Sequence, residues 1–133
     1  MLREEGLDAV FRRHDRHAEA TRRAVSGWGL EMIPKDARDS TASVTAVFIP
    51  EGHDADQFRH VVLDRFDMSL GKGLGKLEGR AFRIGHLGDF NDLMLAGTLA
   101  GVEMGLMAAN VPHRPGGSQA ALEYLAHNEL GAP

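Results

Sequence analysis

The feature that most constrains the fold is the longest apolar stretch, Leu93 to Ala109, interrupted by a single acid, Glu103. It falls short of the ~20 residues that cross a bilayer. A helix that is apolar around most of its circumference has to be covered, so the stretch reads as a buried helix rather than a membrane anchor. Gly97, Gly101 and Gly105 recur along it every fourth residue, on one face. Glycine costs roughly 1 kcal/mol per position inside a helix, so three of them imply tight packing against a neighbour. The chain has 133 residues, 43% of them hydrophobic, which suffices for one domain with a core of its own. It has no cysteine, which removes disulfides, thiolate chemistry and cysteine-based zinc sites and is compatible with the reducing cytoplasm, the expected location. A net charge of −4 argues against a nucleic-acid surface, which needs a basic excess. The start, MLREEGLDAVF, is charged and amphipathic, with no apolar run of a signal peptide.

Ahead of that helix, residues 4 to 28 carry Leu7, Phe11, His14, Ala18, Thr21, Val25 and Trp28 at spacings of three and four, the period of a helix. Gly27 and Gly29 stop it. SVTAVFI, Ser43 to Ile49, is rich in β-branched residues and runs into Pro50-Glu51-Gly52, a strand and its turn. Asp54 with Gln57 resembles a capping box for a helix carrying Phe58, Val61, Val62 and Phe66. A short strand is expected at Met68 to Leu70. Gly71, Gly73 and Gly75 then form a backbone-permissive turn, and GRAFRIG, Gly79 to Gly85, gives a further strand. Within it Phe82 and Ile84 face one side and Ala81 and Arg83 the other. Asp89 is expected to cap the long helix, with Asp92 at its third position. Pro115-Gly-Gly-Ser118 opens a last helix to about Glu129.

The order α-β-α-β-β-α-α predicts an α+β fold. The sheet is small, mostly antiparallel and three-stranded, a split β-α-β with helices on one face. Strand 43–49 runs parallel to 68–70, and 80–85 lies antiparallel between them.

Several local motifs fail as sites. Gly71-Lys-Gly-Leu-Gly75-Lys76 has three residues, not four, before its Gly-Lys, and Leu77 stands where a phosphate loop needs Ser or Thr. The dinucleotide pattern fails too, because position 76 is lysine. His14 with His17, and His53 with His60, lack the converging third ligand a metal needs, so a solvated helix surface is the expectation for them. Arg83 is the residue that resists such an account. It sits inside a strand next to a glycine turn, and its planar fork suits a carboxylate. On residues alone, a structural ion pair and an anion site are equally open.

The stretch Gly71 to Gly105, GKGLGKLEGRAFRIGHLGDFNDLMLAGTLAGVEMG, resembles the C-terminal part of class V, pyridoxal-phosphate (PLP) aminotransferases, particularly the serine–glyoxylate and alanine–glyoxylate branch. Upstream, RHDRHAEATRRAVSGWGLEM and the strand-turn TAVFIPEG agree in order, so the resemblance covers essentially the whole chain, and FRIGHLGD with its following helix is its most specific part.

The resemblance implies the C-terminal small domain of a PLP fold type I transferase, residues 1–133, with 1–28 as the connecting helix and the large PLP-binding domain absent. It implies a transaminase moving an amino group from serine or alanine to glyoxylate, with amino acids and 2-oxo acids as substrates and a homodimeric parent; neither nucleic acid nor membrane is an expected partner. In that family the arginine of the R-I-G segment binds the substrate carboxylate, and Arg83 stands at that position. Gly71, Gly73 and Gly75 match the glycine turn near the site. Family members hold PLP as a Schiff base on a lysine of the large domain. Lys35, Lys72 and Lys76 do not match its Ser-x-Lys context, so no catalytic, cofactor-binding or metal-binding residue is assigned here. The chain alone is expected to be inactive, with the large domain as its partner if encoded separately. The alternative is a non-catalytic interaction module derived from the same domain. Another class V activity, such as a desulfurase or phosphoserine aminotransferase, fits less well; desulfurases typically use a catalytic cysteine, and the chain has none.

Overall fold

The computed structural model describes residues 7–33, 44–73, 75–85 and 91–128. Helix α1, Leu7–Trp28, leads into the short strand β1, Met32–Ile33. Strand β2, Val44–Phe48, is followed by helix α2, Ala55–Phe66, and strand β3, Gly71–Lys72. A 3-10 turn, Gly75–Leu77, precedes strand β4, Ala81–Gly85. Helices α3, Asp92–Ala108, and α4, Gly117–His127, complete the described chain.

The strands form one sheet in the order β1-β2-β4-β3, every neighbouring pair antiparallel. β2 and β3 flank β4 and so run parallel to each other, which is the expected split β-α-β. Alternation along β2 and β4 sends Val47, Phe82 and Ile84 to one face, where they are fully buried. There they join a single core with Ala24, Val25 and Trp28 of α1, Phe58 and Val62 of α2, Leu95, Leu99, Val102 and Leu106 of α3, and Ala121 and Leu125 of α4. All four helices thus cover the same side of the sheet.

Three expectations about the sheet and caps need correction. The sheet has a fourth strand, β1, whose two residues are too few to show alternation. The strand expected at 68–70 forms at Gly71–Lys72 instead. The Leu70 carbonyl accepts from Arg59 Nε at 2.9 Å and is used by α2 rather than by the ladder. Asp89 lies outside the described residues, and Asn91 caps α3, its Oδ1 accepting from Met94 N at 2.8 Å. Asp92 is therefore the first helical residue, not the third. The expected extensions to residue 4 in α1 and to Glu129 in α4 also lie outside the described residues.

The glycines of α3 divide by environment. A Cβ at Gly105 would lie 2.4 Å from Val62 Cγ2, and one at Gly101 2.9 Å from Met68 Cε. These two admit α2 and the chain that follows it. Gly97 faces open space and does not share that role. α1 and α4 meet as closely: a Cβ at Gly117 would lie 2.4 Å from the Ala24 carbonyl oxygen and from the Trp28 indole.

Candidate functional site

Arg83 is held by the geometry of β4. Its neighbours Phe82 and Ile84 are buried on the helix side, so its own side chain leaves from the face the helices do not cover. Register places it directly opposite Ala46 of β2 and Gly71 of β3. Directly opposed residues of an antiparallel pair share a face, so Arg83 stands between two of the smallest residues.

The side chain lies along β3. Its Nε donates to the Lys72 carbonyl oxygen at 2.9 Å. A Cβ on Gly71 would sit 3.1 Å from Arg83 Cβ and 3.2 Å from its Nε. No carboxylate among the described residues pairs with Arg83. The arrangement can therefore offer two guanidinium nitrogens, from a central strand, to a planar anion.

The other two glycines serve the turn. A Cβ at Gly73 would lie 2.3 Å from the Leu77 carbonyl oxygen, where the chain doubles back and Gly73 N donates to Ala81 O at 3.2 Å. Gly75 has φ +57 and faces open space, a left-handed turn position. Of the glycine set, then, only Gly71 is brought into contact with Arg83.

Two polar clusters escaped the sequence reading. His17, expected on a solvated surface, is 1% exposed, and its Nε2 lies 2.9 Å from Asp92 Oδ1. Arg16 grips the same carboxylate, Nη1 to Oδ1 at 2.5 Å and Nη2 to Oδ2 at 2.9 Å, and also donates to the carbonyls of Leu125 and Asn128. The Arg16 hydrogen bond, joined by that of His17 and opposed by burial, holds Asp92 below the usual carboxylate range. This cluster ties α1 to the start of α3 and the end of α4. The side chain of His14 lies outside the described set, and His60 is exposed as expected.

Glu103 is the second. Its Oε1 accepts from Trp28 Nε1 at 2.8 Å and from Ser118 N at 2.9 Å, and its Oε2 from Gly116 N at 3.2 Å. Burial pushes its pKa up, but the indole N–H and the amides of Ser118 and Gly116 outweigh it and bring it down to about 2. The carboxylate caps α4 from α3, supplying the negative end that Gly116, with no side chain, cannot. A lone acid inside an apolar helix, with one tryptophan elsewhere in the chain, was the available signal.

A groove of about 630 Å³ between α1 and α4 is lined by Glu19, Arg22, Arg23, Tyr124 and His127, among others. Its cations are committed: both arginines donate to Glu19, and Arg23 stacks 4.5 Å from the Tyr124 ring centre. It shares no residue with the Arg83 face.

No family model matches the chain. Relatives and solved structures do. The chain is 45% identical over 130 residues to serine–glyoxylate aminotransferase of Methylorubrum extorquens, covering 97% of this chain and 32% of the relative. The ureidoglycine–glyoxylate aminotransferase structure from Bacillus subtilis superposes with a TM-score of 0.85 at 32% identity, over 94% of this chain and 32% of that one. The pyridoxamine–pyruvate aminotransferase structure from Mesorhizobium loti gives 0.87 at 28% identity, over 95% and 33%. Fold and sequence thus agree on the class the chain is similar to: the C-terminal domains of aminotransferases. Within it, the chain matches the C-terminal part of serine–glyoxylate aminotransferases and spans about a third of the length of the curated relatives it matches.

Proposed function

We propose that this domain supplies the substrate-carboxylate arginine, Arg83, to a PLP-dependent aminotransferase that passes an amino group from serine or alanine to glyoxylate. The observation that carries the proposal is the state of Arg83: fixed on the central strand, on the face the helices leave open, with no carboxylate partner among the described residues. The amino donors named for the three relatives differ, but each reaction has a 2-oxo acid, glyoxylate or pyruvate. A 2-oxo acid always carries a carboxylate beside its reacting carbon, and a bidentate arginine fixes that group and hence the orientation of the carbon.

The surroundings of the described lysines support placing PLP outside this domain. A lysine that forms a Schiff base is held where a pocket desolvates it or neighbouring cations activate it, whereas Lys72 and Lys76 are both exposed. Lys35 lies outside the described residues. In this reading the cofactor belongs to a large domain, and Arg83 reaches the substrate from the opposite wall.

The test is steady-state transamination of serine and glyoxylate by this domain combined with a PLP-binding large domain. Arg83→Ala is expected to raise KM for the carboxylate substrates roughly 30- to 100-fold, the loss of a charge-assisted bidentate contact. Arg83→Lys recovers the charge but not the fork, and falls between. An unchanged KM in Arg83→Ala removes Arg83 from the site. Mixed with PLP alone, this chain is expected to give no borohydride-trappable adduct, and a stable one would overturn the placement of the cofactor.

A further inference from the structure

We infer that Gly71 is a positioning residue for Arg83, and that together they present the guanidinium end-on to a carboxylate. This rests on the proposed role of Arg83. A guanidinium can receive a carboxylate side-on, through Nε and one Nη, or end-on, through both Nη groups. Here the Nε–H is spent on the Lys72 carbonyl at 2.9 Å, so the side-on edge is closed. What makes that contact possible is the missing side chain at Gly71. The Arg83 side chain passes over it so closely that a methyl group would stand 3.1 Å from its Cβ, 3.2 Å from its Nε and 3.5 Å from its Cζ.

Backbone conformation gives no competing reason for glycine at this position. Gly71 has no positive φ, unlike Gly75 and Gly79, and it sits in the ladder opposite Arg83. An alanine could adopt the same strand geometry. Its methyl would press on Arg83 from one side while Ala46, opposite Arg83 on β2, adds little bulk on the other. The guanidinium would then swing off β3, lose the Lys72 carbonyl, and reopen its side-on edge. Gly71 therefore sets which edge of the arginine meets the substrate and fixes it before the substrate arrives.

The experiment uses the whole chain labelled with 15N, with glyoxylate as the probe. In the wild type the Arg83 Nε–H is expected to exchange with water about tenfold more slowly than that of the exposed Arg12, the mark of an internal hydrogen bond. Glyoxylate is expected to shift the Arg83 Nη resonances while leaving Nε–H exchange slow. In Gly71→Ala the Nε–H is expected to exchange as fast as that of Arg12, with the amide spectrum of α1 to α4 unchanged. The response to glyoxylate weakens about fivefold, the loss of one orienting hydrogen bond.

Slow Nε–H exchange retained in Gly71→Ala would overturn the inference, as would glyoxylate engaging Nε in the wild type. If Gly71→Ala loses its folded spectrum, the wild-type exchange rate and titration decide alone. If glyoxylate moves no Arg83 resonance in the wild type, the carboxylate role of Arg83 fails. Freeing of Nε–H by Gly71→Ala would still establish the positioning role.

Discussion

Glu103 gives the domain a stability that should depend on pH in a definite sense, and Glu103→Gln isolates it. The glutamine keeps one oxygen for Trp28 and Ser118 but turns an NH2 toward Gly116 N, and it removes the charge at the start of α4. Losing charge assistance and the helix-terminus interaction costs about 1–2 kcal/mol. Linkage reaches the same range independently. A carboxylate brought from 4.5 to about 2 on folding is worth roughly 3 kcal/mol without screening. Glu103 is only half-buried, and solvent screening reduces this to about 1–2 kcal/mol. Because the folded-state pKa is depressed, the contribution is complete above 4.5 and lost as pH falls through about 2. Urea melts of wild type and Glu103→Gln at pH 7, 4 and 2.5 should differ by about 1–2 kcal/mol at pH 7, with the gap narrowing steadily toward pH 2.5. A gap of the same size at every pH, or none at pH 7, would show that the carboxylate does not act as the charged cap of α4.

Other substitutions test the packing and the second polar cluster. Gly105→Ala should cost about 1–3 kcal/mol in a urea melt, because its methyl would meet Val62 and Phe58. Gly97→Ala, on the same helix but facing open space, should instead stabilise by roughly 0.5–1 kcal/mol. Asp92→Asn removes the partner of the buried Arg16 and should cost about 1–2 kcal/mol, discounted because Asp92 is 48% exposed. Asp92 is also held below its ordinary value, so the difference should be full at neutral pH and shrink as pH falls below 3.8.

The sequence made some of this structure legible and hid the rest for definable reasons. Periodicity exposed the elements that bury a full face: the three-and-four spacing of α1, the alternation of Phe82, Arg83 and Ile84, and the apolar run of α3. It could not show β1, whose two residues carry no pattern, nor the start of β3, which turns on whether Arg59 or the ladder takes the Leu70 carbonyl. Long-range polar links were hidden more deeply. Arg16 and His17 look like solvated helix residues, because their partner lies 75 positions or more along the chain. The candidate site divides along the same line. That Arg83 leaves the sheet on the face opposite Phe82 follows from a period of two. That its guanidinium lies on Gly71 depends on the pairing of β3 with β4, and the same three glycines read in sequence look interchangeable. Their separation into one that admits an arginine, one that admits a returning chain and one that takes a left-handed φ is therefore a property of register. A one-residue slip of β3 that brought Lys72 opposite Arg83 would set a long side chain where the guanidinium now lies over Gly71.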